Sequence, residues 1–266
     1  MRVGFIGGGY MGEAMIAALL KQGVASANEL VVSDVAGARR EALKSQYGVG
    51  VTDDNAVAAG GKELVVLAVK PQEFSTVAAG LRGAFASDCA ALTIMAGMPI
   101  ERVSRELDHA AVARAMPNTA AAVGQAMSVW TANAGVSDAG RANVAKLLGS
   151  MGRELFVEDE AYLDMATAVN GSGPGYVFLF LEAFIDAAID LGLPRDVAEE
   201  LCIQTLAGSA TLARETGKQP AELRAMVTSK GGTTAAGLQV LEDGDLRGLV
   251  QRAVAAARNR AKELGG

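Results

Sequence analysis

The sequence predicts a doubly wound α/β sheet followed by an all-helical segment. Two observations predict it. Up to about residue 157 short apolar runs alternate with alanine-rich helical stretches, and beyond Val157 no convincing strand remains. A third agrees: a glycine cluster, Gly7–Gly12, falls between the first apolar run and the first helical stretch, where a strand must turn sharply into a helix.

The apolar runs come in order at Arg2–Ile6, Leu30–Ser33, Leu64–Val69, Ala90–Ile94 and Ala111–Ala115. They are short and apolar on both faces, which suits strands of a parallel sheet covered by helices on either side. Between them Glu13–Gln22 and Ala36–Gln46 carry helical spacing. From Glu158 on, long Ala/Leu/Met-rich stretches are punctuated by Gly171-Ser172-Gly173-Pro174, Gly192-Leu193-Pro194 and Lys230-Gly231-Gly232, which read as helix boundaries. The expected domains are residues 1–157, nucleotide-binding, and 158–266, all-helical.

Composition narrows the function classes. With 266 residues and half of them hydrophobic, the chain can bury a substantial core. Its 24 Lys+Arg against 30 Asp+Glu, with no basic block, argue against nucleic acid or an anionic membrane as partner. Cys89 and Cys202 lie in no metal-binding or redox spacing, so buried, reduced thiols are expected. The single histidine, His109, excludes a multi-histidine metal centre and is expected to lie exposed on the surface. No leader-like segment opens the chain, and no uninterrupted apolar run approaches a membrane span: Tyr176–Leu181 is followed by Glu182, Asp186 and Asp190, a stripe expected on a solvated helix face. The expectation is a soluble cytoplasmic protein.

Gly7-Gly8-Gly9-Tyr10-Met11-Gly12 carries GxGxxG at Gly7, Gly9 and Gly12. The first glycine permits the tight turn, the second lets backbone approach a pyrophosphate, and the third lets helix and strand pack closely. Asp34, 22 residues beyond Gly12, ends the second strand where an acid meets the adenosine ribose. The domain is therefore read as Rossmann-type. Asp34 favours NADH, whereas Ser33 and the pair Arg39-Arg40 suit a 2′-phosphate, so the residues leave the choice open. For the arginines a solvated helix face is an equal reading.

Lys70, in Ala68-Val69-Lys70-Pro71, stands at a strand's carboxyl end, where ligands bind in this architecture. Ser229-Lys230-Gly231-Gly232-Thr233-Thr234 precedes a helical pattern and would present backbone N–H groups and hydroxyls to a carboxylate-sized anion, or would simply cap a helix. Arg114-Ala115-Met116-Pro117-Asn118-Thr119 leaves a strand end, and Asn170–Tyr176 opens a helix. Each of these is unspecific alone.

Together, in this order and spacing, the motifs resemble pyrroline-5-carboxylate reductase over nearly the whole chain. The resemblance implies NAD(P)H-dependent hydride transfer to the imine carbon of 1-pyrroline-5-carboxylate, giving L-proline, the last step of proline biosynthesis. NADPH is the implied cofactor, with NADH as the alternative. It implies that Ser229 and the Gly231, Gly232 and Thr233 backbone hold the substrate carboxylate, that the Thr234 hydroxyl meets the ring nitrogen as the catalytic group, and that Glu160 lies near substrate. Cofactor contacts would fall at Gly7, Gly9, Tyr10, Met11, Gly12, Ser33, Asp34, Asn55, Ala68, Val69, Lys70, Pro71, Ala96 and Gly97. It implies a homodimer formed through the helical domain, with active sites built from both chains and dimers assembling further. Such a reaction needs no dedicated protein acid, because the imine nitrogen takes its proton from solvent.

The sequence departs from the family pattern at Tyr10, Met95, Gly175 and Lys230, none of which removes a group the reaction needs. A β-hydroxyacid dehydrogenase would require a lysine and an asparagine pair around residues 171–178, and neither is there. A non-catalytic dinucleotide sensor would be expected to lose the Ser229–Thr234 loop.

Overall fold

The computed structural model describes residues 1–265. The chain divides into two compact units, Met1–Pro174 together with Ala257–Gly266, and Gly175–Ala256.

Among the described residues of the first unit, eight strands form one sheet: β1 (Val3–Ile6), β2 (Leu30–Ser33), β3 (Gly50–Thr52), β4 (Leu64–Leu67), β5 (Ala90–Thr93), β6 (Val112–Met116), β7 (Ala126–Ala132) and β8 (Gly152–Phe156). Their order is β3-β2-β1-β4-β5-β6-β7-β8. Strands β1 to β6 are parallel, and the order reverses between β1 and β4, which makes their carboxyl ends the ligand-binding crevice of a doubly wound sheet. All four residues of β1, β4 and β5 are buried, so the apolar runs have helices on both faces.

The helices of this unit are α1 (Tyr10–Lys21), α2 (Gly37–Tyr47), α3 (Asn55–Ala59), α4 (Phe74–Leu81), α5 (Ile100–Leu107), α6 (Asp138–Ser150) and α7 (Ala161–Ala166). Their starts follow local chemistry: the Asp54 carboxylate accepts the Ala56 and Val57 N–H groups at α3, and the Ser137 hydroxyl accepts from Gly140 at α6. Two cores flank the sheet. One is centred on Phe5, Met15, Leu19, Leu92 and Trp130, the other on Ile6, Phe74, Leu81 and Met95.

The sheet corrects the expectation in one respect. It is mixed, not purely parallel, because β7 runs antiparallel to β6. Only a short 3₁₀ turn, Thr119–Val123, joins the two, too little chain for a crossover.

The second unit holds most of α8 (Gly173–Asp190), α9 (Arg195–Thr216), α10 (Pro220–Met226), α11 (Thr233–Asp243) and most of α12 (Leu246–Gly265). Proline opens α9 and α10, and Gly217, in the left-handed conformation, ends α9. This unit leaves Phe178, Leu179, Phe180, Leu201 and Ile203 exposed, while Ala198 and Cys202 are buried. A second correction concerns length. The helical run Ala161–Asp190 is long and apolar enough, by length and composition alone, to cross a membrane. Counting uninterrupted apolar residues misses it, because the helix continues through Asn170–Pro174. Glu182, Asp186 and Asp190 lie on it, and all three are exposed, as expected.

Candidate active site

The GxGxxG turn joins β1 to α1. Gly7 has φ +100°, and a Cβ there would come 2.6 Å from the Ala68 carbonyl oxygen, so the turn admits only glycine. A Cβ on Gly12 would come 2.6 Å from the Gly7 carbonyl oxygen, which is the close packing of helix on strand expected of the third glycine. A Cβ on Gly9 would meet nothing within 4 Å, and this residue is the N-cap of α1 without a side-chain hydrogen bond. Its surroundings leave room for a pyrophosphate against the Tyr10 and Met11 N–H groups.

Around this turn the structure gathers other residues expected at a nucleotide site. Ser33 and Asp34 end β2, Ala68–Pro71 follow β4, and Ala96 and Gly97 follow β5, all at the carboxyl edge. Ser33 is fully buried and its hydroxyl donates to Asn55 Oδ1 (2.6 Å), so it can serve a ligand only by holding Asn55. Lys70 is exposed. Asp34 accepts the Gly8 N–H (2.9 Å) on Oδ2 and the Ala36 N–H (2.9 Å) on Oδ1. Tyr10 is exposed and its hydroxyl reaches the Thr119 carbonyl oxygen (3.4 Å). Met95, one of the departures, is buried in the second core.

The arginine pair is not a solvated face. Arg39 donates through Nε to the Gly8 carbonyl oxygen and through Nη2 to the Glu13 carboxylate, which also accepts from Tyr47 Oη (3.0 Å). The Arg39 hydrogen bond holds the Glu13 carboxyl below its ordinary range, with Tyr47 adding to it against the opposing effect of burial. Arg40 donates through Nη1 to the carbonyl oxygens of Asp34 (2.7 Å) and Val35 (3.2 Å).

Glu160 sits in the first unit, within a charge cluster that the motifs do not announce. Arg114, its side chain only 3% exposed, donates from Nη1 to Glu160 Oε1 (2.9 Å) and from Nη2 to Asp164 Oδ1 (2.7 Å). Glu160 Oε1 also accepts the Ile100 N–H (2.9 Å) at the start of α5. A signal for it exists in the sequence: an arginine inside a strand of apolar residues requires acids, and Glu160 and Asp164 stand four apart on one helical face. Asn170, which begins the motif read as opening a helix, acts as a clamp. Its Nδ2 donates to the Met116 and Met127 carbonyl oxygens (both 2.9 Å), and its Oδ1 accepts from Asn118 (2.9 Å).

In the second unit Ser229–Thr234 form the turn into α11. Gly231 has φ +71°, which favours glycine, whereas a Cβ on Gly232 would lie 2.3 Å from Ser229 Oγ, a contact that rotation of the serine side chain relieves. Gly232 is the N-cap without a side-chain hydrogen bond, and its N–H donates to the Ser229 carbonyl oxygen (3.0 Å). Ser229, Thr233 and Thr234 are exposed. The turn thus presents hydroxyls and the first N–H groups of a helix, an arrangement able to hold a carboxylate.

His109 and the cysteines stand apart from this chemistry. His109 is half-buried, contrary to the exposed position expected: its ring stacks on Phe85 (4.6 Å) and Nε2 lies 2.8 Å from the Cys89 carbonyl oxygen. Its position before β6 puts it at the amino edge of the sheet, opposite the crevice. Cys89 and Cys202 are free and buried, and burial, with the Asp88 charge, pushes the Cys89 thiol up to about 12.

Comparison with known proteins agrees with this architecture. A family model described as pyrroline-5-carboxylate reductase dimerisation matches residues 160–264, and one described as NADP oxidoreductase, coenzyme F420-dependent, matches residues 2–97. The pyrroline-5-carboxylate reductase of Synechocystis is 40% identical over 265 residues, covering 100% of this chain and 98% of its own length. The structure of the Coxiella burnetii pyrroline-5-carboxylate reductase superposes with a TM-score of 0.92 at 34% identity, covering 100% of this chain and 98% of that one. The Plasmodium falciparum pyrroline carboxylate reductase, solved with NADP bound, gives a TM-score of 0.91 at 27% identity, with 100% and 98% covered.

Proposed function

The chain belongs to the pyrroline-5-carboxylate reductase family, and from that premise we propose how its own residues carry the reaction. The protein is an NAD(P)H-dependent oxidoreductase that reduces 1-pyrroline-5-carboxylate to L-proline, the last step of proline biosynthesis. The ring C=N bond becomes CH–NH: the carbon gains a hydride and the nitrogen a proton from solvent. When bound, the reduced nicotinamide supplies the hydride.

The chain's contribution is binding and orientation. At the crevice Gly7, Gly9 and Gly12 shape the turn, and the N–H groups of Tyr10 and Met11 receive the pyrophosphate. Asp34, and Asn55 held by Ser33, serve the adenosine side; Ala68–Pro71, Ala96 and Gly97 line the path toward the nicotinamide. At the start of α11 the Ser229 hydroxyl and the Gly231 and Thr233 N–H groups hold the substrate carboxylate. Gly232, whose N–H is already used, contributes close backbone approach. The Thr234 hydroxyl bonds the ring nitrogen. Glu160, with Oε1 taken by Arg114 and Ile100, would offer Oε2 toward substrate. The observation that carries this reading is the α11 turn, with Gly231 in the left-handed conformation, no side chain capping its N–H groups and accessible hydroxyls on either side.

We assign the functional division to residues 157/158, with a homodimer formed through the helical part and dimers assembling further. The exposed apolar side chains of α8 and α9 support this, since a surface so apolar calls for a partner, and a second copy explains it without a membrane. A cytoplasmic location fits the two buried free thiols.

The test is turnover with 1-pyrroline-5-carboxylate, followed by loss of NADPH or NADH absorbance, with the six-membered cyclic imine as comparison. Faster reduction of the five-membered ring is expected. No turnover of either ring by protein that binds dinucleotide would overturn the reading.

A further inference from the structure

The two adjacent arginines at the start of α2 carry the same charge but are held differently. Arg39 is engaged at both ends of its guanidinium: Nε on the Gly8 carbonyl oxygen, Nη2 on the Glu13 carboxylate. Gly8 is gripped from the other side as well, because its N–H donates to Asp34 Oδ2 (2.9 Å). A Cβ on Gly8 would meet Leu43 Cδ1 at 2.6 Å, so this residue has little room to move. Arg39 and Asp34 therefore clamp the residue immediately before Gly9, and Glu13 neutralises the Arg39 charge at direct hydrogen-bond distance.

Arg40 is held by neutral groups. Its Nη1 donates to the Asp34 and Val35 carbonyl oxygens, which fixes the guanidinium on the turn after β2 without cancelling its charge. The carboxylate it pairs with is Asp53, at 3.7 Å and 77% exposed, a pairing that water screens strongly. A 2′-phosphate on the adenosine ribose would arrive at this turn, beside the Asp34 carboxylate, and needs a fixed cation to offset that acid.

We propose that the two arginines divide the work: Arg40 is the specificity-determining residue that meets a ribose 2′-phosphate, and Arg39 is a positioning residue for the glycine turn that serves NADPH and NADH alike. The inference rests on the dinucleotide site described above.

The test is direct titration of the full-length protein and its variants with NADPH and with NADH, read by nucleotide fluorescence and requiring no turnover. For Arg40→Gln, the dissociation constant for NADPH should rise on the order of tenfold or more while that for NADH stays within about twofold, as loss of one charge-assisted contact implies. For Arg39→Gln, both constants should rise by a common factor, leaving their ratio unchanged. Glu13→Gln, which loosens Arg39 without removing a guanidinium, should also leave the ratio unchanged and stands in if Arg39→Gln fails to fold. An equal loss for both nucleotides in Arg40→Gln, a selective loss of NADPH in Arg39→Gln, or no loss in Arg39→Gln would overturn the division. Wild-type protein that binds neither nucleotide would overturn the underlying site instead.

Discussion

Replacing Arg114 with Met would remove the centre of the cluster that ties β6 to α7 while keeping an unbranched stem in the buried position. Arg114 makes two charge-assisted hydrogen bonds, to Glu160 (2.9 Å) and Asp164 (2.7 Å), with its own side chain almost fully buried. Each such bond contributes about 1.5–3 kcal/mol, and stranding a buried partner costs about 3–5 kcal/mol. Both carboxylates are about 30% exposed, however, so water recovers part of their solvation, and Glu160 keeps the Ile100 N–H. The expected loss is therefore about 3 kcal/mol, or a fall in Tm of roughly 6–12 °C at the 2–4 °C per kcal/mol of a chain this size. Lysine at this position reaches one acid but cannot fork to two, so Arg114→Lys should lose about half as much. The assay is thermal and urea unfolding at one fixed protomer concentration, since assembly contributes to apparent stability. An Arg114→Met protein within about 0.5 kcal/mol of wild type, the range of an ordinary surface substitution, or an Arg114→Lys protein equal to wild type, would refute the reasoning.

Gly12→Ala places a Cβ 2.6 Å from the Gly7 carbonyl oxygen, so it should weaken binding of both nucleotides on the order of tenfold with circular dichroism unchanged; unaltered binding would show that helix and strand can part without cost. Thr234→Ala should lower kcat/KM with nucleotide affinity unchanged, and full turnover would remove the hydroxyl from its assigned role. The Glu13 carboxyl is depressed by Arg39 and Tyr47, so its contribution is present above the pKa it has in the unfolded chain and is lost as pH falls through the lower folded value. Unfolding measured from neutral to acid pH should therefore show a smaller acid-side loss for Glu13→Gln than for wild type; parallel curves would mean that the Arg39 contact adds no linkage.

Five of the eight strands are legible as apolar runs, because each is covered by helices on both faces and packs mainly against apolar groups. β3, β7 and β8 are not. β3 is three residues long and partly exposed, β8 carries Arg153 and Glu154 with Leu155 half exposed, and β7 buries Ser128 and Thr131 among its apolar residues. Edge strands and strands with buried hydroxyls satisfy their backbone in the sheet without displaying a hydrophobic pattern. The position of His109 escapes sequence reading for a related reason: its ring covers Phe85 and bonds a carbonyl oxygen of a distant turn, which no local pattern announces.

The nucleotide turn can be read directly because its demands are local: Gly7 is set by its φ, and Gly7 and Gly12 by atoms within a few ångströms along or beside the same strand–helix junction. The turn into α11 is readable for the same reason, since Gly231 answers to the backbone of one tight turn. What each charge does was decided by the tertiary structure. Arg39 and Arg40 are neighbours with one chemistry, and Arg114 lies 46 and 50 residues along the chain from its partners Glu160 and Asp164. A charged side chain takes its role from the groups that folding brings to it, because its energy depends on burial and on which opposite charge comes within hydrogen-bond reach. The sequence by itself therefore determined the fold, the family and the tight turns where the backbone admits only glycine. Only the tertiary structure decided which charges are spent on holding those places in shape and which remain to meet a ligand.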